Sequence, residues 1–289
     1  FREVVIEGLI ATGLEPEQIE VGHVGNFVAE RFCQQGLMGG FFGHVSPELR
    51  DIPTSRHEAA CASGSMAALA AMSDIQAGHY ELACVVGAEL MRNVPGKVGA
   101  EYLGAATWAG KEALDCDYPW PHMFDQLAAE YDRRYGMHYD SLKTIARINY
   151  NNAARNPFAQ SRNWTIEAGH FSDNDQLNPL IEGRMRKMDC GQITDGAACI
   201  FLASERAARV YAQGRGLSLN EIPYIKGWGH RSAPLLLTEK LRISAQQPFI
   251  FPHVRLMVED ALKRAGMLSV NDLDGLETHD CFTVTEDMA

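Results

Sequence analysis

The chain has 289 residues, 46% of them apolar, and a formal net charge of −11 at pH 7. That length allows one large or two packed domains with a sizeable core, and the acidic balance argues against general nucleic-acid binding. No apolar run is long enough to span a bilayer and no charged-then-apolar signal pattern opens the sequence, so a soluble protein with no membrane partner is expected. Seven cysteines, at 33, 61, 84, 116, 190, 199 and 281, are scattered without a CxxC pair. Neither a disulfide framework nor a metal site is expected from them, and reduced thiols in a cytosol-like compartment are.

In chain order, residues 2–13 have the period of an amphipathic helix ended by Gly13, and 20–27 read as a short strand. Residues 56–61 are extended, 64–78 form a helix rich in small residues that stops at Gly78, and 81–90 are a continuous apolar run of the buried-strand type. From about 93 to 187 the composition changes: three of the four tryptophans lie here, with helical patterns at 124–135 and 140–155. This stretch reads as an insertion between strands, because 196–204 is again a buried strand. A polar connection (212–221), a strand (223–229), an irregular loop, a helix (252–265) and a strand (275–282) follow. The alternation predicts an α/β fold. The order helix, Gly, acidic turn, strand, Phe occurs at 6–27 and again at 259–282, which fits two similar halves, although such units are common in α/β proteins. The chain reads as cut at both ends.

Between Arg133 and Lys187 there are nine Lys/Arg against five Asp/Glu, a basic stretch in an acidic chain. It is either a solvated face or a place where Arg forks and Lys point charges hold an anionic ligand. Cys61 ends an extended segment and begins a helix in the string HEAACASGSMAALAAM. A thiol there faces unpaired N–H groups and the positive end of the helix dipole, both of which stabilise thiolate. The alternative is a small buried hydrophobe, the reading that Cys84 and Cys199 receive inside their apolar strands. His279 and Cys281, two apart on an expected strand, would share one face. Trp108, Trp120, Trp164 and Met123 either line a pocket or form the core of the inserted region.

The string CASGS, with the strand ELACVVGAEL after it, resembles the nucleophile segment of thiolases. GLETHDCF resembles the HDCF motif of the sterol-carrier-protein-type branch, and 178–204 resembles the end of the thiolase loop domain and the strand that follows. These matches run in family order over nearly the whole chain. The resemblance implies a thiolase-like fold of two pseudo-symmetric βαβαβαββ halves. Residues 1–92 would be the first part of the N-terminal half, 93–187 a CoA-binding loop domain, 188–211 a return strand and 212–289 an incomplete C-terminal half. It implies an acyl-CoA acyltransferase with acyl-CoA and CoA as substrates, no metal, and no covalently bound cofactor. Cys61 would be the nucleophile, Cys281 the acid/base on carbon and His279 part of an oxyanion hole, with Arg184, Arg186 and Lys187 among the CoA contacts. A homodimer or dimer of dimers, joined through 54–60, would be expected. The location would be cytoplasmic, or peroxisomal or mitochondrial in a eukaryote. The family's GHP histidine and CxG cysteine do not occur after Cys281. Two other readings therefore stand beside the thiolase: a thiolase-fold retro-aldolase or acyltransferase working with a small OB-fold partner, and a non-catalytic CoA-binding subunit.

Overall fold

The computed structural model describes residues 1–288. Its elements begin with α1 (Arg2–Thr12), β1 (Val21–Gly25), α2 (Ala29–Phe32), β2 (Thr54–His57), α3 (Ser63–Gln76) and β3 (Leu82–Glu89). Next come α4 (Gly96–Leu103), α5 (Pro119–Tyr135), α6 (Tyr139–Arg155), β4 (Leu180–Glu182), β5 (Met185–Arg186) and β6 (Gly196–Ala203). Helices α7 (Glu205–Gly214), α8 (Leu237–Ser244), α9 (Pro252–Ala265) and α10 (Thr283–Asp287) complete it. The chain divides into two compact units: Phe1–Pro95 with Thr194–Tyr224, and Gly96–Ile193 with the residues from Ile225 onward.

The first unit is built on a four-stranded mixed sheet of order β2-β1-β3-β6. Strand β1 runs parallel to β2 and β3, and β6 runs antiparallel to β3. Period-two alternation sorts the side chains. Val24, Cys84 and Val86 join Val5, Leu9 and Phe42 on one face, while Val21, Ala83 and Val85 meet Ala67 and Ala71 of α3 on the other. Both faces of β1 are therefore covered, which is why all five of its residues are buried. Helix α1 buries Val5 and Leu9, four apart, and ends where Gly13 takes the left-handed conformation, φ 61°. Helix α3 reaches the sheet closely because Gly25 has no Cβ: one built there would lie 2.6 Å from Cα of Gly64.

Three expectations fail, each because a strand needs a neighbour. Residues 223–229 form no strand; Gly227 and Gly229 instead press against the backbone of α9. Residues 275–282 form no strand either. A single bridge between Cys190 and Phe282 is the β-type pairing recorded there, and residues 271–279 are exposed. Strand β6 exists as expected but is not a buried one: it lies at the sheet edge, and Ile200 is 48% exposed. The connection expected at 212–221 is entered by α7, whose N-cap Ser204 accepts a hydrogen bond from the Ala207 N–H.

In the second unit, α5 and α6 follow the two helical patterns and extend the first to Pro119, a favoured first-turn residue. Ala128, Met137, Leu142, Met185, Phe282 and Val284 form its core, with Trp120 and Phe124 packed against them. Trp120 donates from Nε1 to the Leu103 carbonyl, and Met123 is buried, so both serve as core.

Candidate active site

In the first unit, Cys61 lies on a tight passage from strand to helix. Edge strand β2 ends at His57, and the Glu58 carboxylate accepts the Ala60 N–H at 2.6 Å. Ala60 then adopts φ +48°, a left-handed conformation that costs a non-glycine residue free energy and needs its surroundings to hold it. The surroundings are Ser63, whose buried hydroxyl accepts the Ala59 N–H at 3.0 Å and donates to the Ala60 carbonyl at 2.6 Å. A 3-10 turn, Ala60–Ala62, carries the exposed Cys61 into the N-terminus of α3. A nucleophile on such a turn stands clear of the sheet and close to the unpaired N–H groups of the helix start.

Glu89, at the end of β3, faces the charge that Cys61 carries as a thiolate. Its carboxylate accepts the Phe27 N–H at 2.7 Å and the amide of buried Asn26 at 2.9 Å. Burial raises its pKa above the ordinary carboxylate value, the bond from Phe27 and the Arg56 charge oppose this, and Cys61 adds to the rise. Arg56 itself donates to the Phe27 carbonyl at 2.7 Å and pairs with Glu30.

The same unit holds a polar cluster on the α3 face of the sheet. Nδ1 of His23 lies 3.0 Å from Ser55 Oγ and 3.1 Å from His57 Nε2, which are 2.9 Å from each other. Nε2 of His23 lies 3.2 Å from an Asp74 oxygen. With both histidines neutral, His57 donates to Ser55 and Ser55 to His23, while the Asp74 carboxylate lies beside the buried His23 Nε2. Burial depresses the pKa of both histidines; for His23 the neighbouring His57 adds to this and Asp74 opposes it. Cys84 is fully buried, and burial moves its thiol far above the ordinary value.

His279 and Cys281 lie in the second unit, on irregular backbone before α10. The expected strand geometry, with both side chains on one face, is not what places them. Gly191 donates its N–H to the Cys281 carbonyl at 2.7 Å, and a Cβ at Gly191 would lie 2.9 Å from that oxygen. Phe282 stacks on Phe124 with centroids 3.9 Å apart, and Thr283 donates to buried Asp189 at 3.3 Å. Cys190, opposite Phe282, is pushed up to about 12 by burial. In the same unit Arg184 is bound to Asp125 at 3.0 Å and Arg186 to Asp175 at 2.7 Å. The Lys187 side chain is exposed. Glu89, Asn26 and the His23 cluster escaped the sequence reading, as did the hydrogen-bonding role of Ser63, which was read only as one of the small residues after Cys61. Their roles depend on long-range pairing, apart from Ser63, whose place two residues after Cys61 was a usable signal.

A mixed sheet flanked by helices, with a cysteine on the turn into α3, defines an α/β protein of the thiolase-like class. Residues 2–206 match the family described as thiolase, N-terminal domain, and the chain belongs to the thiolase family. It is 27% identical to an acetyl-CoA acetyltransferase of Methanothermobacter thermautotrophicus over 98% of this chain and 70% of that protein. It is 25% identical to human sterol carrier protein 2, over 78% of this chain but 40% of that one. Among solved structures, the Ltp2-ChsH2(DUF35) aldolase superposes with a TM-score of 0.65 at 18% identity, covering 98% of this chain and 68% of that chain. A monomeric SCP2-thiolase-like protein type 1 of Mycobacterium smegmatis does so with 0.62 at 15% identity, covering 93% and 53%.

Proposed function

We propose that the protein is an acyl-CoA C-acyltransferase that works through an acyl group on Cys61. The observation that carries this reading is the exposed Cys61 on a strained turn at the start of α3. In the degradative direction the Cys61 thiolate attacks the 3-oxo carbon of a 3-oxoacyl-CoA, and the C2–C3 bond breaks. The electron pair moves to the departing acetyl-CoA as an enolate, which takes a proton at carbon from Cys281. His279 supports a thioester oxygen. CoA thiolate then takes the acyl group and restores Cys61. Condensation runs the same steps backwards. Acyl-CoA and CoA are the substrates, and Lys187 is the member of the expected basic trio best placed to meet a phosphate, since its ammonium is exposed. A homodimer joined along edge strand β2 is the proposed assembly.

Incubation with acetyl-CoA followed by mass spectrometry is expected to find a single acetyl group on Cys61, absent from Cys61→Ala. No modification would leave the CoA-binding subunit as the better reading. The aldolase neighbour favours one second reading, retro-aldol cleavage alongside a small OB-fold protein. CoA-dependent cleavage of a 3-oxoacyl-CoA by the purified protein supports the thiolase. Cleavage of a 3-hydroxyacyl-CoA that requires a co-expressed OB-fold protein supports the aldolase.

A further inference from the structure

The segment that carries His279 and Cys281 belongs to no strand, so the position of Cys281 depends on what grips the residues beside it. On one side the grip is backbone and aromatic: Gly191 on the Cys281 carbonyl, Phe124 on Phe282, Asp189 on Thr283. On the other side the grip includes a side-chain amide from α6. Nδ2 of Asn149, on α6, lies 2.6 Å from an oxygen of Asp280 and 3.2 Å from an oxygen of Glu286. An amide nitrogen carries two hydrogens, so it donates one to each carboxylate. Asp280 immediately precedes Cys281, and Glu286 lies on α10, which the same segment enters.

We propose that Asn149 is a positioning residue for proton transfer at Cys281, because its side-chain amide holds the Asp280 and Glu286 carboxylates together and so fixes the backbone that presents the thiol. The proposal rests on the reading of Cys281 as the acid/base given above. In the step concerned, the C–H bond at C2 of acetyl-CoA breaks, a Cys281 S–H bond forms, and the electron pair moves onto the thioester oxygen as an enolate.

The electrostatics explain why an amide is needed. Burial raises the Asp280 pKa to about 6, the hydrogen bond with Glu286 and its charge add to this, and His279 opposes it. Below that pH Asp280 is protonated and hydrogen-bonds to Glu286 directly. Above it the Asp280 carboxylate is repelled by the Glu286 charge, and the Asn149 amide is the neutral link that keeps the two side chains together. Facing groups are Glu286 from α10, His279 from the same segment and Asn149 from α6.

The test follows solvent deuterium exchange into the acetyl methyl of acetyl-CoA against pH, with Cys61 acetylation measured in parallel. In Asn149→Leu, exchange at neutral pH is expected to fall by about 10²-fold, the order found when reacting groups are displaced by about 1 Å. Cys61 acetylation is expected to persist, and the inflection near pH 6 to move upward, because two donors that stabilised the carboxylates are gone. Glu286→Gln removes the repulsion and is expected to move the inflection down while exchange survives. Equal exchange in Asn149→Leu with an unmoved inflection would overturn the proposal. If Asn149→Leu does not fold, Glu286→Gln decides alone: an inflection that stays near pH 6 refutes the pairing. Absence of exchange and acetylation in the unaltered protein would instead refute the acyltransferase reading, whatever Asn149 does.

Discussion

At the scale of single residues the cysteines differ in what surrounds them. Cys61 is exposed, whereas Cys84 is buried and its thiol is held protonated by burial. Iodoacetamide near neutral pH is therefore expected to label Cys61 well before Cys84 and before the half-buried Cys199, and acetyl-CoA to protect it. Even labelling, read by peptide mass spectrometry, would remove the nucleophile assignment. Glu89 acts in the opposite sense to the helix dipole, since a carboxylate that faces a thiolate disfavours it. Glu89→Gln is expected to speed alkylation of Cys61 a few-fold at neutral pH; an unchanged rate would mean that the charge is screened. The place of Cys61 at the start of a helix was legible because its flanking string of small residues is local and dense. Glu89 was not, since its meaning comes from Phe27 and Asn26, some sixty residues away and joined to it only through strand pairing. The left-handed φ of Ala60 was equally hidden, because an alanine gives no sign of it.

At the scale of elements, helices were easier to read than strands. The 3.6-residue pattern of α5, α6 and α9 lies within each segment, but a strand is defined by a partner elsewhere, and 223–229 and 275–282 have the composition without the partner. Two predictions belong here. Gly25→Ala places a methyl against Gly64, between β1 and the start of α3. It is expected to cost about 1–3 kcal/mol by overpacking and to shift the Cys61 turn, so thermal stability and Cys61 labelling should fall together. A stable variant with normal labelling would show that the turn is not set by this contact. The second concerns His23 and His57, which tie β2 to β1 and α3. Both have folded pKa values below that of the unfolded chain, near 6.5. Between those values the unfolded chain binds more protons, so the stabilisation is present at pH 7 and is lost as pH falls below about 6.5. The urea midpoint is expected to drop over pH 7 to 5 and to drop less in His23→Gln. Parallel pH curves would argue that the cluster titrates alike in both states.

At the scale of the whole molecule, the two copies of the helix-turn unit agree part of the way. Gly13 and Gly266 end their helices in the same left-handed conformation, φ 61° and 70°, and each is followed by a 3-10 turn, Pro16–Gln18 and Val270–Asp272. The first copy then enters β1, whereas the second has no sheet to enter among the described residues. The syntax was legible because glycine and the acidic turn are local; the divergence was not, because it depends on neighbouring strands. The sheet of the first unit also has two edges, and they differ. Edge β6 is eight residues long and β2 only four. A short edge strand with a charged residue is a common way to discourage pairing, and β2 carries Arg56. Yet Arg56 is turned to Glu30 and the Phe27 carbonyl, so its charge is neutralised within the chain rather than directed at an approaching strand. The outer hydrogen-bonding side of β2 has no strand partner among the described residues. A second copy related by a two-fold axis would meet it with the same four residues in antiparallel register, which satisfies both edges at once. The protein is therefore expected to run as a dimer, twice 31.9 kDa for this chain, in light scattering at micromolar concentration. Amide exchange along Thr54–His57 should slow as concentration rises through the dissociation constant. A single 31.9 kDa species, with exchange at β2 independent of concentration, would assign the short strand to the avoidance of pairing instead.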